Sequence, residues 1–260
     1  PNITSFQNIE SHSKFKNAKV LGSLIKITRE EYEEIKTGDD SLFGQQQNQL
    51  KLQADYLSRS YDVVVTNPPY LNSSKMETEL RNYVEKEYFS TKSDLFATFI
   101  LRCLEFSNDK GLTGNMSPFV WMFISNYKHL RQRIIENHFI DSLIQLEYSG
   151  FEGATVPVCT FTLRKKFINK AKGTYIRLSD FKGAKLQAPK ALEAINNKNC
   201  SWLYKAFQGD YKKLPDYRIG YWLNKAQINA FSEQNKLKDI YPPKAGLSTG
   251  NNERFLRYWY

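Results

Sequence analysis

Residues 61–70 read Tyr-Asp-Val-Val-Val-Thr-Asn-Pro-Pro-Tyr. The three consecutive valines are β-branched and stiff, so they predict a strand that is covered on both faces. Pro68 and Pro69 end that strand, because each fixes its own φ, removes a backbone donor and holds the preceding residue extended. The stretch therefore predicts a rigid loop at the carboxyl end of a strand, which is where ligands bind in open α/β sheets.

This loop carries groups that suit the chemistry of an aromatic amine. The exocyclic amine of adenine is a poor nucleophile because its lone pair is delocalised into the ring. Two hydrogen-bond acceptors that bind its two N–H groups would localise the lone pair on the nitrogen. The candidate acceptors are the side-chain oxygen of Asn67 and the carbonyl of Pro68. Tyr70 offers a ring on which a base can stack. Such a site works by positioning and electrostatics. The alternative is a plain Pro-Pro turn.

The tetrapeptide Asn67-Pro68-Pro69-Tyr70 after a hydrophobic strand resembles the catalytic motif of S-adenosylmethionine-dependent amino-methyltransferases, chiefly the adenine-N6 DNA enzymes. The resemblance implies that these four residues are catalytic, that Tyr70 stacks on the target base and that S-adenosyl-L-methionine is the cofactor. It further implies that double-stranded DNA is the partner. Other subunits of a defence system are a second predicted partner.

Two further segments resemble parts of the same family. Lys92-Ser93-Asp94-Leu95-Phe96 resembles the start of the helix that lines the cofactor and base pockets, which implies a cofactor-binding role for Asp94 and Phe96. Residues 149–154 resemble the loop that supplies an aromatic ring to a flipped base, which implies stacking by Phe151. The alternative for Phe151 is a hydrophobic anchor in a hairpin.

The last part of the chain, Gly-Leu-Ser-Thr-Gly-Asn-Asn-Glu-Arg-Phe at residues 246–255, resembles the opening of the target-recognition region in type IIG restriction–modification enzymes. It resembles still more closely the phage-defence methyltransferases of BREX systems, of the PglX type. The alternative is a Gly/Asn turn before a short helix. The residues predicted to bind DNA are Lys165, Lys166, Thr249, Asn251, Arg254 and Arg257.

Charge divides the chain into two unlike parts. Residues 1–163 carry 17 basic and 20 acidic side chains, whereas residues 164–260 carry 20 and 7, within a net charge of +10. A basic second part predicts a polyanionic partner, and aromatic residues interleaved with lysines from Trp202 to Lys225 suit nucleic acid. The alternatives are a solvated basic surface and an ordinary small core.

The composition also limits the class of protein. The three cysteines are few and widely spaced, which is typical of reduced thiols and predicts a cytoplasmic protein. The three histidines form no metal-ligand spacing with them, so we predict no metal site. No apolar run approaches the roughly 18 residues that a membrane span needs, and there is no signal-peptide pattern.

The order of predicted elements defines the fold. Helical spacing predicts helices over 45–58, 77–87, 94–106, 119–138, 188–196 and 223–234, and apolar runs predict strands over 112–116, 140–146, 156–163 and 175–178. The predicted class is α/β, a partial class I (Rossmann-like) S-adenosylmethionine-dependent methyltransferase sheet, C-terminal half, followed by a basic α+β region. We predict a catalytic part at 1–165, a connecting region at 166–240 and the start of a target-recognition domain at 241–260.

One departure from the family bears on activity. The family holds its cofactor through a glycine-containing loop after the first strand and an acidic residue after the second, and neither is found here. The chain also opens at Pro1 without Met. We therefore expect a fragment with an incomplete cofactor site that is inactive alone. Alternatives are an amino-methyltransferase acting on RNA or on a protein glutamine, and a non-catalytic DNA-binding or assembly module.

Overall fold

The computed structural model describes residues 9, 12–37, 44–148, 150, 156–232 and 241. Its helices are α1 Ala18–Leu21, α2 Arg29–Thr37, α3 Gly44–Ser58, α4 Thr78–Glu87, α5 Leu95–Phe106, α6 Lys128–Asn137, α7 Ala184–Asn196 and α8 Lys225–Ala230. Its strands are β1 Tyr61–Thr66, β2 Ser107–Pro118, β3 Phe139–Gln145, β4 Val158–Arg164, β5 Lys172–Arg177 and β6 Leu203–Phe207.

These strands form one sheet in the order β1-β2-β4-β3-β5-β6. β1, β2, β3 and β5 point the same way, whereas β4 and β6 run antiparallel to their neighbours. The predicted α/β class is confirmed, and the sheet is mainly parallel with two antiparallel strands. The four parallel strands end at one side of the sheet, here called the carboxyl edge, and begin at the opposite side, the amino edge.

One face of the sheet is closed by α5 and α6. Four of the strand residues that point into this face belong to the main hydrophobic core: Ile140, Leu143, Phe161 and Leu163. The polar side chains of Thr113 and Asn115 are buried beside them. Trp121 lies fully buried against Phe161, with the ring centroids 4.9 Å apart. Burial of this kind stabilises by about 25 cal/mol for each Å² of apolar surface removed from water, so this face holds the strands in register.

The other face is covered only in part by the described residues. α7 packs over its β3–β5 end through a small cluster that includes Ile176 and Ala194. Towards β1, the side chains of Val63 and Val65 are 60% and 76% exposed. The prediction of a strand covered on both faces is therefore wrong for the described structure. The valine run specifies a strand but not its neighbours, and β1 is an edge strand here that pairs with β2.

The region around β2 departs from the predicted elements. β2 starts at Ser107, directly after α5, and runs to Pro118, whereas the sequence predicted a strand only over 112–116. The helix predicted over 119–138 is confirmed only from Lys128 onward, as α6. Before it, two short 3-10 turns replace the helix, and Ile124 between them is extended (φ −72°, ψ 139°). The apolar spacing is helical, but the guanidinium of Arg131 binds the carbonyls of Trp121 and Ile124, at 2.7 Å each, and holds them outside a helix.

The basic region beyond residue 165 adds two strands to the same sheet. β5 pairs in parallel with β3, and β6 pairs antiparallel with β5. Its aromatic residues largely pack, since Tyr211 and Tyr221 are buried. The division into domains at residue 165 stays a prediction. Residues 233–240 and 242–260 lie outside the described residues, and none of the described helices is long and apolar enough to cross a membrane.

Candidate active site

The loop Asn67–Tyr70 lies where β1 ends, at the carboxyl edge of the sheet. β1 runs to Thr66, and the chain then turns out through Asn67, whose side chain is exposed. Pro68 is buried while Pro69 and Tyr70 are exposed, so one proline anchors the loop and the polar groups face outward. This placement follows from the two prolines, which stop the strand and stiffen the loop.

A short backbone strap joins this loop to the start of α5. The amide of Ser73 donates to the carbonyl of Ser93 at 3.1 Å, and the amide of Leu95 donates to the carbonyl of Leu71 at 2.9 Å. Asn72 and Asp94 form an isolated antiparallel bridge between them. The strap thus brings together two predicted site segments that are separate in sequence, Asn67–Tyr70 and Lys92–Phe96.

The side chains of Asn67 and Tyr70 contact each other. The Tyr70 hydroxyl donates to Oδ1 of Asn67 at 3.3 Å. Burial raises the pKa of Tyr70, and the nearby Cys159 raises it further, so the phenol stays protonated and can donate. This contact orients the Asn67 oxygen, and an exposed, oriented carbonyl oxygen can accept a hydrogen bond from an incoming amine.

Beneath Tyr70 lies a short row of aromatic rings. The ring of Phe96 meets Tyr70 edge-on at 6.3 Å, and the ring of Tyr127 lies 5.4 Å from Phe96. Phe96 is only 1% exposed, so it supports the Tyr70 ring from the core and presents little surface to a ligand. Its cofactor-binding role stays a prediction. Sequence reasoning missed Tyr127 as part of this site, since it lay within an apolar stripe assigned to a helix.

Asp94 begins α5 as its N-cap. Its carboxylate accepts a hydrogen bond from the Phe96 amide at 3.3 Å, in the extended conformation that caps adopt. Burial raises the pKa of Asp94 above its usual value, although hydrogen bonds from the amides of Phe96, Leu71 and Leu95 oppose that shift. The carboxylate therefore has a structural task, and its cofactor-binding role stays a prediction.

Comparison with known proteins shows what this arrangement is similar to. The protein-family model named Eco57I restriction-modification methylase matches residues 2–151, which is more than half of the chain. The chain belongs to this family.

Two relatives agree with that assignment. The chain is 34% identical over 208 residues to the adenine-specific methyltransferase PglX of Lacticaseibacillus casei (strain Zhang), covering 78% of this chain and 17% of the relative. It is 29% identical over 262 residues to the adenine-specific methyltransferase BrxX of Escherichia coli O9:H4 (strain HS), covering 94% and 21%. The chain therefore spans about a fifth of the length of these relatives.

A solved structure of lower similarity is the methyltransferase subunit of a type I restriction-modification system from Streptococcus thermophilus. It is 17% identical, with a TM-score of 0.46, and the match covers 62% of this chain and 37% of that one. The predicted fold class, a sheet of the class I methyltransferase type, agrees with the Eco57I family assignment and the six-stranded mixed sheet.

Membership of the Eco57I family implies S-adenosylmethionine as methyl donor, and the described residues offer only part of a site for it. A cavity of about 530 Å³ adjoins Asn67 and is lined by Val65, Thr66, Gly114 and Met116 among others. These residues supply apolar and neutral contacts. Asp94, the predicted acidic contact, already caps α5. The described residues thus do not form a complete cofactor site, and they contain no group of three residues suited to hold a metal.

The predicted DNA-binding residues do not assemble around this loop. Lys165 and Lys166 follow β4 at the amino edge, about 20 Å from Asn67 if β2 rises about 3.3 Å per residue. There Lys165 donates to the carbonyl of Leu104, and Lys166 pairs with Asp109 at 2.8 Å. Their DNA-binding role stays a prediction. The other predicted DNA-binding residues lie outside the described residues: Thr249, Asn251, Arg254 and Arg257. Phe151, the second predicted base-stacking residue, also lies outside them.

Proposed function

We propose that the full-length protein containing this chain transfers a methyl group from S-adenosylmethionine to N6 of adenine in DNA. The observation that carries the proposal is the Asn67–Tyr70 loop at the carboxyl edge, with its Asn67 oxygen exposed and oriented by Tyr70. Membership of the Eco57I family supports the same reaction class.

In this proposal each residue of the loop has one task. Asn67 Oδ1 and the Pro68 carbonyl each accept a hydrogen bond from one N–H group of the adenine amine. These two hydrogen bonds draw the nitrogen towards tetrahedral geometry and localise its lone pair. The Tyr70 ring stacks on the base, while Phe96 keeps that ring upright from below. S-adenosylmethionine, when bound, supplies the electrophilic methyl group. Buried Pro68 keeps the acceptors in place, so that they cost no reorganisation during the reaction.

We propose double-stranded DNA as substrate, in restriction–modification or phage defence, because the relatives are named as adenine-specific methyltransferases and the second part of the chain is strongly basic. An adenine in a duplex must leave the base stack to reach Asn67, which costs a few kcal/mol and needs a stacking surface such as Tyr70.

The experiment offers labelled S-adenosylmethionine and several acceptors to the purified full-length protein. The acceptors are duplex DNA, the same duplex with its adenines already N6-methylated, ribosomal RNA and a glutamine-containing protein. We expect label in N6-methyladenine of the unmethylated duplex alone, identified by mass spectrometry of the nucleosides. Label in RNA or in protein would contradict the proposed substrate. DNA binding without transfer to any acceptor would instead favour the non-catalytic module.

A further inference from the structure

Arg177 lies at the same edge of the sheet as the Asn67 loop. It is the last residue of β5, and its partner in the register is Gln145 at the end of β3. Four strand spacings separate β5 from β1, which amounts to about 19 Å at about 4.8 Å each. A ligand that extends along the carboxyl edge from Asn67 would therefore reach Arg177.

An aromatic support fixes the side chain of Arg177. Its guanidinium carbon lies 5.0 Å from the centroid of the Trp222 ring, and its Nε donates to the hydroxyl of Ser179 at 2.8 Å. Trp222 in turn contacts the rings of Tyr221 at 4.9 Å and Phe123 at 5.8 Å. The guanidinium is thus held by contacts with its neighbours rather than extended freely into solvent.

The support itself rests on buried residues. Tyr221 is 3% exposed and stacks on Tyr175 at 4.7 Å with the rings nearly parallel. Its hydroxyl donates to Oε1 of Gln145 at 2.7 Å. Because these contacts belong to the main core, the position of Trp222, and with it that of Arg177, is set by the fold.

The charge of Arg177 has no direct counter-ion in the described part of the chain. Its ring contact and its hydrogen bond to Ser179 leave the two terminal nitrogens without a protein acceptor there. Asp180 reaches the guanidinium only through the Ser179 hydroxyl, at 3.5 Å from that oxygen. The Arg177 guanidinium is a planar group with several N–H donors, it is fixed against an aromatic ring, and it has no carboxylate partner in the described part of the chain. Such a group suits an oxyanion ligand.

We propose that Arg177 binds a backbone phosphate of the DNA whose target adenine enters the site at Asn67. This inference rests on the proposed function. The distance of about 19 Å corresponds to about five or six nucleotides along one strand, at about 3.4 Å each. Arg177 therefore contacts DNA flanking the target base, and it contributes to affinity and register rather than to the methyl-transfer step.

The test measures binding of the full-length protein to duplex DNA at several salt concentrations. Each phosphate contact contributes about 0.9 to the slope of log affinity against log salt concentration. Arg177→Ala and Arg177→Gln are expected to lower that slope by about 1 and to weaken binding, while the turnover number at saturating DNA stays unchanged. Arg177→Lys, which keeps a charge but not the fork, is expected to retain most of the slope.

Arg133 provides the matched control. It is exposed on α6. α6 leads directly into β3, which begins at the amino edge, so Arg133 belongs to the helix that ends at that side of the sheet. Arg133→Ala removes the same charge and is expected to leave the slope unchanged. Trp222→Leu removes the support of Arg177 and is expected to weaken binding in the same direction as Arg177→Ala.

The results that would exclude a phosphate contact by Arg177 are different from those that would exclude DNA methylation. If the wild-type protein methylates DNA and Arg177→Ala and Arg177→Gln both keep its salt slope, Arg177 does not contact phosphate. Equal losses in Arg133→Ala and Arg177→Ala would also overturn the inference, because general charge would then explain both. A wild-type protein that neither binds nor methylates DNA would overturn the proposed function itself. Unchanged melting temperatures confirm that the variants are folded.

Discussion

At the scale of single residues, the contact between Asn67 and Tyr70 sets the chemistry of the site. At 3.3 Å their hydrogen bond is long and therefore weak, so the phenol competes only weakly with an amine that approaches Oδ1. The carbonyl oxygen has two lone pairs, which allows it to accept from both. The phenol therefore orients the oxygen without blocking it.

This contact separates two contributions of Tyr70. Tyr70→Phe keeps the ring and removes one hydrogen bond, worth about 0.5–1.5 kcal/mol, so we expect single-turnover methylation to slow by about 2- to 10-fold. Tyr70→Ala also removes base stacking, worth about 1–3 kcal/mol, and we expect a further loss of about 5- to 150-fold. Equal rates for both variants would show that the ring contributes nothing.

A second prediction concerns the buried carboxyl of Asp94. Burial raises its pKa in the folded protein, so ionisation costs folding free energy as the pH rises through the raised value, and that cost is absent at lower pH. Asp94→Asn removes the charge and keeps a good helix cap. We expect the full-length variant to be at least as stable as the wild type at pH 7, with a smaller change in stability above pH 3.8.

Asp94→Ala is the control for the cap. It lacks both the charge and the acceptor for the Phe96 amide, and loss of an N-cap costs about 1 kcal/mol. Thermal unfolding across a pH series measures all three proteins. If Asp94→Asn were clearly less stable than the wild type at pH 7, the ionised carboxylate would be stabilising and the effect of burial would be outweighed.

At the scale of elements, the sequence predicts α5 well and the residues before α6 poorly. Residues 94–106 carry a cap and an uninterrupted apolar face, and both signals are local. Residues 119–138 also show helical spacing, yet their first part forms two 3-10 turns. The cause is Arg131, a non-local partner whose guanidinium also donates to the carbonyl of Asp216, 85 residues away. Spacing along the chain carries no information about that contact.

Arg131 is therefore expected to hold the segment 119–124 against the segment 215–219. It is fully buried and donates to the carbonyls of Trp121, Ile124 and Asp216, and burial lowers its pKa to about 10. Arg131→Met fills similar space and leaves three carbonyls without this donor, at about 1–3 kcal/mol each when buried. We expect a loss of stability of about 3 kcal/mol or more in the full-length protein.

Hydrogen exchange locates that loss. Amides in 119–124 and 215–219 should exchange faster in Arg131→Met, while those of β2 and β4 should change little. Arg131→Lys keeps one ammonium donor group and is expected to recover part of the protection. Uniform acceleration over the whole sheet would argue against a local clamp.

At the scale of the whole molecule, the sheet has one closed face and one partly open face. The sequence predicted the order of strands and helices because each element has its own local signal. It could not predict that Val63 and Val65 would be exposed, since a strand's burial depends on which elements lie beside it. The same limit applies to Lys165 and Lys166, whose distance from Asn67 follows from the strand direction of β4.

The exposed edge of β1 predicts self-association of the 260-residue chain. An exposed apolar edge strand offers unpaired backbone groups to a second copy, and an added charge opposes such pairing. We expect Val65→Lys to reduce concentration-dependent association in sedimentation velocity. Val20→Lys makes the same change at a residue that is 37% exposed on α1 and should have no effect. Equal association of the wild type, Val65→Lys and Val20→Lys would contradict a role for β1 in self-association.

The most direct measurement is the amount of N6-methyladenine that the full-length protein forms in duplex DNA, compared with its Asn67→Ala and Asn72→Ala variants. Asn72 lies in the same loop region and caps a 3-10 turn through its bond with the Ser74 amide, so it controls for general disturbance of the loop. We expect Asn67→Ala to lose about 100-fold or more in rate, as for other preorganised polar groups, whereas Asn72→Ala stays active. Wild-type levels of N6-methyladenine from Asn67→Ala would contradict the assignment of Asn67 as the residue that holds the amine.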